Sequence, residues 1–328
     1  MMDLTLLGGL VNPAVLFFFF GLIAVSLRST LEIPAAVAKM LSLYLLIAIG
    51  LRGGSAIVES GFSLTMIAAL GSAAVLALIV PLWSWLVLRR LLGEFDAVAL
   101  AACCGSVSAA TFVAATSFLD NVGVAYGDYM TVALVVMETP AIIAAFALTN
   151  RARRREPAAA QTGVIRDESN WRVLLHDAFT NDSHLLLLAS MVIGMIAALV
   201  RGDGVVLGGF VTGDIFKGAL AIFLLDMGLR VGERLRHKID EITLPLALFG
   251  IGAPVVNAGL AMVCAAVAGL DVGDAALLCT LAASASYIVV PAVVSHVIPE
   301  ANPGVYFTVA LGLVLPFNLL VGIPLYHA

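Results

Sequence analysis

The stretch 105-GSVSAATF-112 lies in the middle of an apolar run long enough to cross a membrane. Every residue before Phe112 is small, and Ser106, Ser108 and Thr111 carry hydroxyls. A second apolar run holds 283-ASASYIVVP-291, again with Ser-x-Ser. On a continuous helix, residues i and i+2 do not share a face. If both serines of a pair serve one site, the helix must unwind there, which small neighbours permit. Pro291 also removes a backbone donor and frees the carbonyl of Tyr287. Taken alone, each stretch has a competing reading: small residues allow close helix packing, and serine bonds back to the i−4 carbonyl.

The pair of stretches is what favours a site. Ser106 and Ser284 differ by 178 positions, as do Ser108 and Ser286, Lys39 and Lys217, Gly50 and Gly228, Arg52 and Arg230, and Asp96 and Asp274. The tripeptide GLR recurs in that register at 50–52 and 228–230. YMTVAL at 129–134 matches YFTVAL at 306–311 with an offset of 177. A constant offset over so many landmarks marks an internal repeat.

Composition sets the class. Of 328 residues, 62% are hydrophobic and 12% charged, and mean hydropathy is +1.08. Soluble domains carry roughly a quarter charged residues, so the chain reads as an all-α integral membrane protein. Apolar runs of spanning length lie near 11–27, 35–51, 64–88, 97–118, 129–149, 184–200, 210–229, 242–268, 275–296 and 303–325. Period-two alternation is absent over these lengths, which favours helices over a barrel. Each half then holds five spans. Five is odd, so the second half enters the bilayer inverted: 1–149 is the first repeat, 150–183 a linker and 184–328 the second repeat. Inverted repeats are the architecture of secondary transporters, with the site at midplane between the repeats. With both termini outside, fourteen Lys and Arg fall inside and three, Arg52, Arg201 and Lys217, outside. A multi-pass protein of the cell's inner membrane, surrounded by lipid and with the 150–183 loop cytoplasmic, is therefore expected. RARRREPAAAQTG from Arg151 reads as solvated linker, and WRVLLHDAF from Trp171 as a short surface helix.

Other classes find little support. The N-terminus has no basic region and carries Asp3, which argues against a cleaved signal peptide. Phe17 to Phe20 read as lipid-facing bulk. Cys103, Cys104, Cys264 and Cys279 lie in apolar runs and form neither a disulfide framework nor a zinc site. No nucleophile–base pair suggests an enzyme, and nucleic acid is not an expected partner.

Two broken helices, spans 4 and 9, would aim two positive half-helix ends and free N–H groups at one pocket. That receives a small anion without Arg or Lys. Ser106, Ser108, Ser284 and Ser286 are expected to hold the anion, with the backbone of Gly105, Val107, Ala109, Ala285 and Tyr287. Thr111, Glu138 and Asn318 are candidate cation-binding residues, and Ser108, Thr111 and Ser286 a sodium set. Glu138 lies deep in span 5, where a carboxylate is expensive and a functional candidate. A hydrogen-bonded structural role is its alternative. Asp226 and Arg230 fit a helical i,i+4 ion pair, and Asp96 and Asp274 helix N-caps.

GSVSAATF, YMTVALVVMETPAII, AASASYIVVPA and IPEANPGVYFTVALG resemble the sodium-dependent bicarbonate transporter family, whose founding members are cyanobacterial permeases, over nearly the whole chain. The resemblance implies a ten-span, five-plus-five inverted fold, a homotrimer, and a core domain moving against a scaffold. It implies Na+ as coupling ion and bicarbonate as substrate between the broken helices, and, in some members, inhibition by a PII-like cytoplasmic protein. The chain departs from the cyanobacterial pattern where three serines precede an Asp: Ala285 and Tyr287 stand there instead, and Val290 replaces the glycine before the family proline. Glu138 replaces an Asp, and the cytoplasmic loop is shorter, which weakens the regulator expectation. The rivals are a proton-coupled transporter of a small monocarboxylate, a passive anion channel, and a non-transporting sensor signalling through 150–183.

Overall fold

A computed structural model describes residues 12–61, 63–155, 182–201, 208–211, 213–238, 242–287 and 289–327. The linker beyond Arg155 and the WRVLLHDAF helix expectation lie outside the described residues. Among them secondary structure is helical, with no strand. Each start follows local chemistry. Helix α1 (Pro13–Ser26) begins with Asn12 accepting from the Ala14 N–H and proline in its first turn. After α2 (Ala35–Ser60), Ser63 accepts from Met66 to open α3 (Leu64–Leu88). Span 4 is α4 (Glu94–Gly105) and α5 (Ala109–Val122), and α5 ends on Gly123 at φ 72°, a left-handed position that glycine takes without Cβ strain. Then come α6 (Met130–Arg155), α7 (Asp182–Arg201), α8 (Asp214–Lys238) and α9 (Leu244–Ala268). Span 9 is α10 (Val272–Ala283) and α11 (Val289–Val297). The last, α12 (Pro303–His327), opens with Asn302 accepting from Gly304 and widens into π-helical turns at Ala310–Val314 and Asn318–Gly322.

A helix thus lies at each of the ten apolar runs. Among the described residues six spans, α2, α3, α4–α5, α6, α9 and α12, are long and apolar enough to cross a membrane. Leu64, Leu199, Val263 and Val267 are among the large apolar side chains left exposed. An apolar exterior of that extent fits lipid rather than water. The chain is a multi-pass membrane protein. Phe17 and Phe20 face outward as expected, but Phe18 does not: it is fully buried, because α1 packs on α8 along that face.

The helices form two bundles. In the first, α1 packs on α8 and α7 on α2, with α2 also touching α8. The approach is at backbone distance. A Cβ at Gly228 of α8 would stand 2.0 Å from the Phe18 carbonyl oxygen, and one at Gly54 of α2 would stand 1.9 Å from that of Met191. The second bundle holds α3 to α6 and α9 to α12. At its centre the span-4 helices are almost wholly buried.

Candidate functional site

Span 4 stops being helical where its hydroxyls begin. Helix α4 ends at Gly105, whose missing Cβ leaves room for the Pro81 ring; a Cβ there would lie 2.6 Å from Cδ. Ser106 and Ser108 are extended. The Ser108 hydroxyl then accepts from the Thr111 N–H at 3.2 Å and from the Thr111 hydroxyl at 2.9 Å, opening α5. Span 9 behaves alike. Helix α10 ends at Ala283, Ser284 is extended, and the Ser286 hydroxyl accepts from the Val290 N–H at 3.3 Å in the first turn of α11. Pro291 belongs to that same turn. Its missing N–H is therefore at a helix start, where it costs little, rather than inside a continuing helix.

The two interruptions bond to each other. The Ser108 N–H donates to the Ser284 hydroxyl at 3.0 Å, and the Ser286 N–H donates to the Cys103 carbonyl at 2.8 Å. Backbone groups that unwinding would leave orphaned in a buried region are thereby paired.

Beside this crossing lies a cavity of about 50 Å³ between the bundles. One wall comes from the first bundle and is apolar apart from Ser42: Leu45, Leu46 and Ile49 of α2, Leu187 of α7 and Phe223 of α8. The facing wall is Val107, Ser108, Ala109, Ala110, Glu138, Ser286 and Tyr287, with Leu134 and Val113. On this measure a water needs about 10–15 Å³, so the space suits a solute of a few heavy atoms. Glu138 is buried. No Lys or Arg lines the cavity. The positive field comes from the start of α5, whose first N–H groups have no partner within their own helix.

Of the residues singled out in the sequence, Val107, Ser108, Ala109, Glu138, Ser286 and Tyr287 meet at this cavity. Thr111 stands one hydrogen bond behind, on Ser108. Ser284 is engaged with Ser108 and with the Leu281 carbonyl, and Ala285 is buried beside it. Gly105 and Ser106 sit behind the lining; the Ser106 hydroxyl is fully buried and has no hydrogen-bond partner among the described residues. Asn318 is elsewhere. Its amide donates to the Ala283 carbonyl at 2.9 Å and accepts from the Tyr326 hydroxyl at 2.8 Å, tying α12 to the end of α10. Sequence reading missed Ser42 and the apolar wall. Ser42 is one hydroxyl in an apolar span with no partner motif, and only packing reveals which face of α2 it shares.

Asp226 pairs with Arg230 at 2.7 Å, the expected i,i+4 contact. The N-cap reading of Asp96 and Asp274 is corrected. The caps are Gly93 and Asp271. Asp96 instead accepts from the Asn302 N–H at 2.6 Å. Asp274 accepts from the Gly127 N–H at 2.6 Å and from the Tyr129 hydroxyl. Each sits in the first turn of its helix, and each binds the loop before a span of the other half. The cysteines are free thiols, and the described residues contain no cluster of three His, Cys, Asp or Glu able to hold a metal ion.

The family model of the Na+-dependent bicarbonate transporter superfamily matches residues 13–328. No protein of curated function matches the chain.

Proposed function

The chain belongs to the Na+-dependent bicarbonate transporter superfamily, and on that footing we propose that it is a secondary active transporter carrying bicarbonate, or a similar small anion, together with sodium. One observation carries the reading: hydroxyls from both interruptions, the start of α5 and a buried carboxyl face one small cavity between two bundles. The first-turn N–H groups and the Ser108 and Ser286 hydroxyls receive the anion. Glu138 makes the cation necessary. A carboxylate and an anion about 4 Å apart repel by roughly 4 kcal/mol at an effective dielectric constant near 20. A sodium ion beside Ser108, Thr111 and Ser286 offsets that repulsion, so anion and cation bind better together than apart. Tyr287 stands where cyanobacterial relatives would place an acid, which leaves Glu138 as the carboxyl on this wall.

The repeat supplies the movement. Helix α1 packs on α8 and α7 on α2, so each half's first span grips the other half's second. The reciprocal contacts of Asp96 and Asp274 have the same exchange symmetry. Two inverted five-span halves, with spans 4 and 9 broken at midplane, account for both. The second bundle, carrying the site, moves against the first, which contributes a wall that is apolar apart from Ser42. Both termini lie outside.

The test is uptake of labelled bicarbonate into proteoliposomes against its gradient, with sodium or choline outside. Concentrative uptake lost in choline supports the proposal. Uptake indifferent to sodium but following a pH gradient favours a proton-coupled carrier, and uptake that never exceeds equilibrium means a channel.

A further inference from the structure

The two GLR arginines occupy matching places in the halves but have different partners. Arg230 bonds within its own helix to Asp226. Arg52, on α2 of the first bundle, reaches across to Asp128, just before α6 of the second. Its Nε and Nη2 converge on one carboxylate oxygen, Oδ1, each at 2.6 Å. The guanidinium lies 5.3 Å from the centre of the Tyr126 ring, and the Tyr126 hydroxyl donates to Asp120 at 3.0 Å. Burial pushes the Tyr126 phenol above its ordinary pKa, against the pull of Arg52, so it remains a donor near neutral pH. The pair is not sealed from water: the side chains keep 26% and 39% of their exposure.

Behind the pair is a second cavity of about 20 Å³, lined by Arg52, Tyr126, Asp128, Thr116 and Thr131. Ile49 and Val113 line both this cavity and the larger one. The small cavity therefore backs onto the site. At about one water's volume, it is too small for a multi-atom solute while the ion pair is closed.

We propose that Arg52 forms an outer docking site for a small carboxylate-like anion, and that Asp128 occupies its guanidinium until such an anion displaces it. Asp128 is the internal stand-in: its carboxylate has the planar, two-oxygen anionic edge that bicarbonate or acetate presents to a guanidinium. Displacement does two things at once. It places the anion next to the wall shared with the central cavity, and it cuts an ion pair that joins the bundles. The device exists at one end of the molecule. Val305 occupies the position matching Asp128 in the second half, so Arg230 has no counterpart to hold across the bundles there. This inference rests on the transport reading above, which supplies the movement that the pair restrains.

The test uses the full chain. Amide hydrogen exchange over 123–129 is followed while bicarbonate or acetate is added, with chloride as an anion lacking the carboxylate edge. Exchange is expected to rise with bicarbonate and acetate and not with chloride. In proteoliposomes, Asp128→Asn is expected to lower the half-saturating bicarbonate concentration several-fold, and Arg52→Gln to raise it tenfold or more, with the maximum rate little changed. The charge swap Arg52→Asp with Asp128→Arg is expected to restore slow exchange in the loop but not the half-saturation. Loop exchange indifferent to all three anions, or both single variants lowering maximum rate with half-saturation unchanged, would make the pair a structural tie and overturn the proposal. Should a single variant fail to fold, the wild-type exchange experiment still decides. Absence of sodium-driven uptake in the wild type would sink the function above, whereas the exchange measurement reads anion docking without transport.

Discussion

Ser108 does three things at once. Its hydroxyl caps α5, anchors Thr111, and borders the cavity. Replacement by alanine removes a cap whose loss typically costs about 1 kcal/mol, and also removes a ligand. Ser108→Ala is therefore expected to lower the thermal midpoint by a few degrees and to raise the half-saturating bicarbonate concentration at least tenfold. Ser106→Ala separates these roles. The Ser106 hydroxyl is buried without a partner among the described residues and does not line the cavity, so removing it should leave stability unchanged or slightly improved. A tenfold loss of affinity in Ser106→Ala with stability intact would mean that its hydroxyl turns into the site when the anion binds. Glu138→Gln keeps the shape but not the charge. Sodium-dependent stabilisation by bicarbonate should weaken, and bicarbonate alone should bind better than it does to the wild type; calorimetric titration with and without sodium reads both. These hydroxyls and the acid were legible in the sequence because hydroxyls and carboxylates are costly in an apolar span. Ser42 was not legible, since a lone hydroxyl in a span announces nothing about its face. Asn318 was legible as a polar group at membrane depth that needs a partner; a carbonyl end and a tyrosine supply one, away from the cavity.

At the scale of elements, the helices followed hydropathy closely while their ends and pairings did not. The ten runs each became helical because a span must satisfy its own backbone. Asp96 and Asp274 misled because an acid near a helix start reads as a cap, whereas the loop that each one binds is distant in sequence and cannot be seen from local pattern. The pairing of α1 with α8 depends on Gly21 and Gly228, and that of α7 with α2 on Gly54 and Gly194. A Cβ at Gly194 would lie 2.3 Å from the Leu51 carbonyl oxygen. Overpacking at such sites costs about 1–3 kcal/mol or more. Gly54→Val is expected to reduce folded yield and the thermal midpoint markedly. Gly71→Val is the control, since a Cβ at Gly71 meets nothing within 4 Å. Equal losses in both variants would mean that β-branching in a helix, not close approach, is responsible.

For the whole molecule, the end-to-end contacts constrain topology without reference to charge counting. Arg52–Asp128 and the Asp274 contacts with Gly127 and Tyr129 gather at one end. At the other end, Arg153 bonds Glu300 and the Val297 carbonyl, and Asp96 bonds Asn302. The same division follows from ten spans alternating in direction, because loops joined by short contacts must share a membrane face. Which end faces the cell is then one binary choice; the orientation proposed above, with the Arg and Lys excess inside, puts the Arg153 end in the cytoplasm. Cysteine labelling in a Cys264→Ser background reads that choice directly, since the other cysteines, Cys103, Cys104 and Cys279, are buried. Cysteine at exposed Asn121 should react with a membrane-impermeant maleimide in intact cells, whereas cysteine at exposed Arg90 should react only after permeabilisation. The reverse pattern would invert the protein in the membrane, and with it the side from which Arg52 receives its anion. Labelling of both positions from outside would break the alternation of spans on which the paired halves depend.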